Sequence, residues 1–207
     1  MPGKLLVPHH TITDWDFKDG STARSLANDY FVSAPTSLKY VWPPGYWETV
    51  VLCRIPGTLC LPQGELRTWV RTTSAFQYLC TFRNQAALGS ANVLNCYNTY
   101  LSGNRLYWHR QVAGVETFVE WTASFTRTNE WVHYRFVWYI GLTPGEETAL
   151  CLDHYRDIAG EWVKLGETMY DTQNLWVDSE INRCGFQPFV GYTWTDWFDD
   201  TEIWGPV

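Results

Sequence analysis

Aromatic side chains beside predicted turns are the residues of this sequence whose chemistry is easiest to name. The chain has 13 Trp, 12 Tyr and 10 Phe among 207 residues. An exposed indole or phenol ring offers a flat apolar surface with a polar tip, which suits stacking on sugar rings. The rings in or beside predicted loops, which we name as candidates for glycan or interface binding, are Trp42, Tyr46, Trp47, Tyr192, Trp194 and Trp197. The competing interpretation is that such rings fill a core or a subunit interface, where aromatic residues are also enriched.

Two stretches rich in carboxylates and aromatic residues lie near the ends of the chain. Residues 14–20 read DWDFKDG, and residues 197–205 read WFDDTEIWG. A strand at a chain terminus is normally held between other strands, because an open sheet edge invites aggregation. We therefore expect residues 197–205 to form the last β-strand and to pair with residues 14–20.

Neither the histidines nor the cysteines show the spacing of a known reactive site. The five histidines are scattered, with no Ser or Cys nucleophile beside them in sequence: His9, His10, His109, His133 and His154. The six cysteines contain no Cys-x-x-Cys pair, so zinc and thioredoxin-like chemistry are not indicated. Cys80 alternates in phase with aromatic residues, which predicts a buried apolar side chain. Cys53 and Cys60 flank Pro56-Gly57, and the alternative that they close a loop disulfide would imply an oxidising environment.

The overall composition excludes several classes of partner. The net charge of −7 argues against nucleic acid, since phosphate binding needs a basic surface. The apolar runs are too short for a membrane span. The first ten residues lack the apolar core of a secretory signal, so we expect a cytosolic chain, a processed one, or one released by another route such as a virus particle.

Alternation of apolar and polar residues predicts a chain of short antiparallel strands. Within 132–140, even-numbered positions are apolar, whereas His133 and Arg135 fall on the other face. Gly103-Asn104 and Ala159-Gly160 predict hairpin turns. Only residues 171–182 are a candidate for a turn or two of helix. Many short strands separated by Gly and Pro turns predict an all-β sandwich, which we divide into an extended arm at 1–13 and a single domain at 14–207.

Three parts of the sequence resemble the concanavalin A-like jelly rolls, and most closely their laminin-G-like members. Residues 15–20 (WDFKDG), followed by 33–38 (SAPTSL), look like the opening strand pair of that family. Residues 130–136 (EWVHYRF) look like its central strand, and residues 198–204 (FDDTEIW) look like its closing strand. The resemblance implies an antiparallel two-sheet jelly-roll β-sandwich with almost no helix, and it says little about function because the fold serves lectins, enzymes, adhesins and virion proteins.

The resemblance also implies a structural calcium ion between the opening and closing strands. Calcium prefers six to eight oxygen ligands from carboxylates and carbonyls. The carboxylates at the matching positions are Asp14, Asp16, Asp19, Asp199 and Asp200. Lys18 stands where the family has an acidic residue and would compete with the ion, so a salt bridge from Lys18 to one of these carboxylates is the alternative.

No catalytic residue is predicted. Glucanases of similar fold carry carboxylates at alternate positions of one strand, about 5–5.5 Å apart. The chain has no Glu-x-Asp-x-x-Glu stretch, and Glu116 and Glu120 have the wrong spacing. Asp200 and Glu202 have alternate spacing, but they lie in the closing strand, where the family keeps structural residues.

Three functions are compatible with these features. We expect a non-enzymatic extracellular module, and specifically a virion surface, decoration or fibre protein whose arm laces onto a neighbour in a homo-oligomer or larger assembly. A stand-alone lectin-like module that binds surface glycans is the main alternative. A glycoside hydrolase or polysaccharide lyase is the third.

Overall fold

The computed structural model describes residues 4–7, 15–17, 24–27, 29, 32, 37–41, 51–55, 60–73, 76–91, 94–122, 130–186 and 195–205. These residues form strands and turns, with no helix among them. The strands are β1 (Lys4–Val7), β2 (Trp15–Phe17), β3 (Arg24–Ala27), β4 (Ser37–Val41), β5 (Val51–Cys53), β6 (Gly64–Thr72), β7 (Phe76–Asn84), β8 (Cys96–Ser102), β9 (Arg105–Val112), β10 (Val115–Trp121), β11 (Val132–Leu142), β12 (Thr148–Ile158), β13 (Glu161–Lys164), β14 (Met169–Asp171), β15 (Arg183–Phe186) and β16 (Thr195–Gly205).

The strands form two sheets, and their pairings are antiparallel. The nine-stranded sheet has the order β13-β12-β11-β6-β16-β4-β3, with β1 beside β16 and β14 beside β12. The seven-stranded sheet has the order β10-β9-β8-β7-β15-β5-β2. This confirms the predicted all-β, two-sheet sandwich. Residues 172–179 form turns rather than the short helix that we considered, and the described part of the chain contains no helix that could cross a membrane.

The core lies between the two sheets and combines aromatic rings with aliphatic side chains from both sheets. Phe82 of β7 and Trp138 of β11 meet across the interior with ring centroids 5.2 Å apart. Phe186 of β15 and Phe198 of β16 do the same at 4.5 Å. All four side chains are fully buried. Burial alternates along β11, and the apolar residues of this strand face inward, as predicted.

Turn chemistry defines the hairpins. Ser102 pairs with Arg105 around Gly103-Asn104, and Ile158 pairs with Glu161 around Ala159-Gly160, both as predicted. Ala159 and Gly160 have φ angles of 56° and 88°, the positive values that a tight two-residue hairpin turn requires.

The last strand lies inside its sheet, but its partners differ from our expectation. β16 pairs with β6 along one side, and with β4 and β1 along the other. β2, which we expected beside β16, pairs instead with β5 in the opposite sheet, with Trp15 opposite Cys53. The pairing of β4 with β16 ends at Phe198, so the backbone groups of residues 203–205 need another partner, and β1 supplies it. Residues 4–7 of the predicted arm therefore lie on this chain's own sheet, whereas the division into an arm and one domain stays a prediction.

No disulfide bond joins any of the described cysteines. Cys80 is fully buried, as predicted. Cys53 is also fully buried, whereas Cys60 is exposed, so the loop disulfide that we considered between them is wrong. The reason is that Cys53 points into the core from β5 while the thiol of Cys60 contacts the backbone oxygen of Ser179 at 3.4 Å.

Candidate functional site

The outer side of the nine-stranded sheet carries a dense set of half-buried aromatic and charged side chains. Because Leu66 and Val70 of β6 face the core, the alternate residues Arg67 and Trp69 face outward. The same alternation turns His133 and Arg135 of β11 outward. We call the resulting set the polar-aromatic face: Glu65, Arg67, Trp69, His133, Arg135, Asp153, Tyr155, Asp157, Trp162, Lys164, Glu202 and Trp204.

One row of this face places an imidazole between two indole rings. The register sets Trp69 of β6 opposite His133 of β11, and Asp157 of β12 opposite Trp162 of β13. The ring of His133 stacks on Trp69 at 4.5 Å and lies 4.6 Å from the ring of Trp162. Burial lowers the pKa of His133 below its ordinary 6.5, although Asp157, 3.5 Å away, opposes the shift. A neutral, aromatic imidazole thus joins the two indoles into one continuous band of rings.

The next row is built around two adjacent arginines. Arg67 and Arg135 are direct cross-strand partners. Glu65 bridges them: Arg67 Nε donates to one carboxylate oxygen and Arg135 Nη2 donates to the other at 2.7 Å. The guanidinium of Arg67 lies 4.4 Å from the ring of Trp204, and that of Arg135 lies 4.8 Å from the ring of Tyr155. Planar cations packed on aromatic rings in this way are held in fixed orientations.

Asp153 organises the side of the face near β12 and β13. Its carboxylate lies 2.7 Å from Lys164 Nζ, accepts a hydrogen bond of 2.7 Å from Thr168, and accepts longer ones from the hydroxyls of Tyr139 and Tyr155. Burial, with Asp153 as a further cause, raises the pKa of Tyr139 to about 12. The tyrosine hydroxyls therefore remain protonated donors, which fixes the polar groups at this end of the face.

A second, more apolar surface lies on the outer side of the seven-stranded sheet, on β8, β9 and β10. Tyr100 and Tyr107 stack at 5.0 Å, and Phe118 contacts the ring of Tyr107 edge-on at 6.3 Å. Trp121 is covered by the guanidinium of Arg105 at 3.9 Å. Phe118 and Trp121 remain 52% and 42% exposed. We call this surface the hairpin aromatic face; His109, which lies 2.9 Å from Glu116, contacts the rings of Tyr100 and Phe118 within it.

Of the predicted aromatic candidates, Trp197 alone lies among the residues that the structure describes. Trp42, Tyr46, Trp47, Tyr192 and Trp194 lie outside the described residues. Trp197 is only 5% exposed: its indole N–H donates to Asp29 at 3.1 Å, and Lys39 covers its ring at 5.3 Å. The chain's own Asp29 and Lys39 thus contact this ring, and a role of Trp197 in glycan or interface binding stays a prediction.

Sequence reasoning missed the rings that do form the polar-aromatic face. The alternation of 132–140 placed His133 and Arg135 on the outer side of a strand, and this is confirmed. Trp69 and Trp162 lie within strands, whereas the predicted candidates were rings in or beside loops. The sequence feature that predicts such a ring is an indole at a polar position of a strand with alternating apolar and polar residues.

The carboxylates predicted to hold calcium do not come together among the described residues. Asp14 and Asp19 lie outside them. Asp16 accepts a hydrogen bond of 2.7 Å from the buried guanidinium of Arg183, whereas Asp199 belongs to the other sheet and accepts the backbone N–H of Val32 at 2.7 Å. No group of three or more His, Cys, Asp or Glu residues suited to a metal ion occurs in the described part of the chain. The calcium ion therefore stays a prediction, and Asp16 already has a cation as its partner.

Comparisons with known proteins found solved structures of similar fold but no family to which this chain can be assigned. No family model and no curated protein matches the sequence. Among solved structures, a carbohydrate-binding module, CBM66, from Bacillus subtilis aligns with a TM-score of 0.56 and 8% identity over 93% of this chain and 96% of its own. A carbohydrate esterase from Shiga toxin-encoding bacteriophage phi24B aligns with 0.52 and 16% over 94% and 91%. Alginate lyase vAL-1 from a Chlorella virus aligns with 0.53 and 10% over 93% and 93%.

These likenesses define the class of protein by its architecture. The chain is a β-sandwich of the kind found in both carbohydrate-binding modules and carbohydrate-active enzymes. At such low identity the fold alone is shared, so activity has to be argued from this chain's own side chains.

Proposed function

We propose that this chain is a carbohydrate-binding module of the concanavalin A-like jelly-roll type, which holds a sugar chain on its polar-aromatic face without cleaving it. The observation that carries the proposal is the band of rings formed by Trp69, His133 and Trp162, with the two arginines in the adjacent row. Half-buried aromatic rings beside several fixed hydrogen-bonding groups match a sugar, which has apolar faces and polar edges.

The polar-aromatic face suits a sugar better than the hairpin aromatic face. Its rings alternate with carboxylates, guanidiniums and tyrosine hydroxyls that are already held in place by neighbours, so little side-chain entropy is lost on binding. The hairpin aromatic face leaves Phe118 and Trp121 52% and 42% exposed, so that more of its surface is apolar. Three solved neighbours with names that refer to carbohydrate support a sugar as the ligand.

Binding without catalysis is supported by the state of the carboxylates on this face. Glu65 accepts from both arginines, and Asp153 is engaged by Lys164 and Thr168. A hydrolase needs one carboxyl group to act as an acid and another to act as a nucleophile or base, both facing the scissile bond. The solved neighbours include both enzymes and binding modules, so cleavage of the polysaccharide has to be measured together with binding.

A role in a virion assembly is the second candidate, and it does not conflict with sugar binding. It is supported by the bacteriophage and virus sources of two neighbours. The argument that the N-terminal arm laces onto a neighbouring subunit is weaker, because residues 4–7 of the arm pair with β16 of the same chain. The mass of the protein in solution tests this candidate directly, since a discrete oligomer favours it and a 24.1 kDa monomer does not.

Affinity electrophoresis in gels containing soluble polysaccharides, followed by calorimetry with the best ligand, tests the proposal. We expect Trp69→Ala and Trp162→Ala each to weaken binding by at least about tenfold, since truncating a central Trp typically costs more than about 1.4 kcal/mol. Trp121→Ala is the control, because it removes an indole from the opposite side of the sandwich, where that ring is 42% exposed. Each variant is melted to show that it is folded.

The outcomes separate the alternatives. Loss of binding in Trp121→Ala, with no change in the other two variants, would move the site to the hairpin aromatic face. A native protein that retains no polysaccharide at all would overturn the proposal. Release of reducing ends or unsaturated sugars from a bound polysaccharide would contradict binding without catalysis.

A further inference from the structure

The adjacent arginines of the polar-aromatic face point to the chemical class of the sugar. We infer that this face selects a glycan whose bound unit carries a carboxylate, and that Arg67 and Arg135 receive it; this inference rests on the proposed carbohydrate-binding function. Both arginines belong to the face already described, and their side chains are 22% and 26% exposed. A ligand lying on the rings therefore reaches them.

The arrangement of charge around the pair favours an anion. Like charges directly opposite each other on neighbouring strands destabilise a sheet. Here the two guanidiniums share a single bridging carboxylate, that of Glu65, while Glu202 makes only a loose contact of 3.7 Å with Arg67 Nη1. A ligand carboxylate above the pair would be attracted most strongly to Arg135, which has Glu65 as its one carboxylate partner among the described residues.

The hydrogen-bonding capacity of the pair leads to the same ligand. A guanidinium carries more N–H donors than one carboxylate oxygen can accept. Each arginine makes one hydrogen bond to Glu65 among the described residues; Arg135 Nε has no partner there, but it is buried and is not a donor that a ligand can reach. Planar guanidiniums bind carboxylates through paired N–H donors, which a neutral hydroxyl cannot match.

Aromatic neighbours hold both guanidinium planes ready for such a contact. Trp204 and Trp162 flank Arg67 at 4.4 and 5.9 Å, and Tyr155 supports Arg135 at 4.8 Å. Since Trp162 is also part of the band of rings, a sugar stacked on that band carries its substituents toward the arginines. An acidic sugar is thus recognised by its ring and by its carboxylate at one place.

The net charge of the chain restricts how the acidic sugar is bound. At −7, the protein as a whole repels a polyanion, so long-range attraction does not assist binding. Selectivity must come from direct contact with the arginine pair. This excludes a general affinity for every anionic polymer and makes the effect of a single arginine substitution large.

Calorimetry with matched acidic and neutral oligosaccharides tests the inference. The probes are oligogalacturonate and its fully methyl-esterified form, which differ only in the charge of the carboxylate, alginate oligomers with mannan oligomers as the neutral comparison, and sialyllactose with lactose. We expect at least one acidic probe to bind about tenfold or more tightly than its neutral counterpart, and Arg135→Gln to abolish that preference. The internal-uronate and sialyl probes distinguish a uronate within a chain from a terminal acidic sugar.

Two further variants keep the test decisive. Arg135→Lys retains the charge and the contact with Glu65 but loses the planar pair of donors, so an intermediate preference is expected. Arg105→Gln removes an arginine from the hairpin aromatic face and is expected to change nothing. Thermal melts identify any variant that fails to fold.

Failure of this inference is distinct from failure of the proposed function. Binding of neutral glycans with no preference for acidic ones would overturn the inference and leave a carbohydrate-binding module. Acidic preference that persists in folded Arg135→Gln would also overturn it. Absence of binding to any probe or polysaccharide would overturn the proposed function itself.

Discussion

Replacing the buried Arg183 should remove a large part of the stability of this protein. Its side chain is completely buried in β15. Its guanidinium donates to the Asp16 carboxylate at 2.7 Å and to backbone oxygens from two segments, at Cys53 and Leu52 on one side and at Ala87, Ser90 and Ala86 on the other. One cation thus ties β2, β5 and the 85–91 segment together.

The size of the effect follows from what is left behind. In Arg183→Met, the Asp16 carboxylate keeps the backbone N–H of Gly89 at 2.8 Å but loses its buried cation. Breaking a buried ion pair from one side typically costs about 3–5 kcal/mol, and the orphaned carbonyls add to this. We therefore expect Arg183→Met to lower the free energy of unfolding by at least about 3 kcal/mol, a large part of the about 5–15 kcal/mol that is typical of small domains. Asp16→Asn should lose less, because the guanidinium keeps its carbonyl partners.

Equilibrium urea unfolding followed by tryptophan fluorescence measures these differences. Arg105→Met is the control: this exposed arginine of β9 contacts the ring of Trp121, so its replacement is expected to change the free energy of unfolding by no more than about 1 kcal/mol. A loss below about 1 kcal/mol in Arg183→Met, or a larger loss in Asp16→Asn than in Arg183→Met, would refute the reasoning.

Three further predictions concern acid, packing and metal. Burial lowers the pKa of His154 to about 3, so the unfolded chain binds a proton between about pH 3 and 6.5 that the folded chain does not. Stability should therefore be full above pH 6.5 and fall by up to about 1.4 kcal/mol per pH unit below it, and a folded His154→Leu variant should flatten this part of a denaturation series. In Gly64→Ala, the added Cβ would lie 2.8 Å from a ring carbon of Trp138, which should destabilise by about 1–3 kcal/mol, whereas Gly145→Ala meets nothing closer than 3.7 Å and should be neutral in thermal melts. The predicted calcium ion should make a chelator lower the melting temperature, and an unchanged melt would contradict it.

The outer position of His133 and Arg135 was predictable because alternation along one strand needs no knowledge of any other strand. The same holds for the hairpins at Gly103-Asn104 and Ala159-Gly160, where local φ angles decide the turn. These features depend on residues within a few positions of each other. Local sequence therefore specified strands, their inward faces and their tight turns.

The composition of the candidate site required the tertiary structure, because it depends on which strands are neighbours. Arg135 and Glu65 are 70 residues apart in sequence and 2.7 Å apart in the sheet. Arg183 and Asp16 are 167 residues apart in sequence, yet they pair in the structure. The sequence had instead predicted that the strand of Asp16 pairs with the closing strand.

Sequence alone thus determined that this is an antiparallel β-sandwich with polar and aromatic residues on the outer faces of its strands. Only the tertiary structure decided which of those residues meet, because strand order and register are set by long-range packing of two sheets. A shift of one residue in the register of β6 against β11 would turn Arg67 and Trp69 into the core. The band of rings and the arginine pair exist because the core on the other side of the same strands fixes that register.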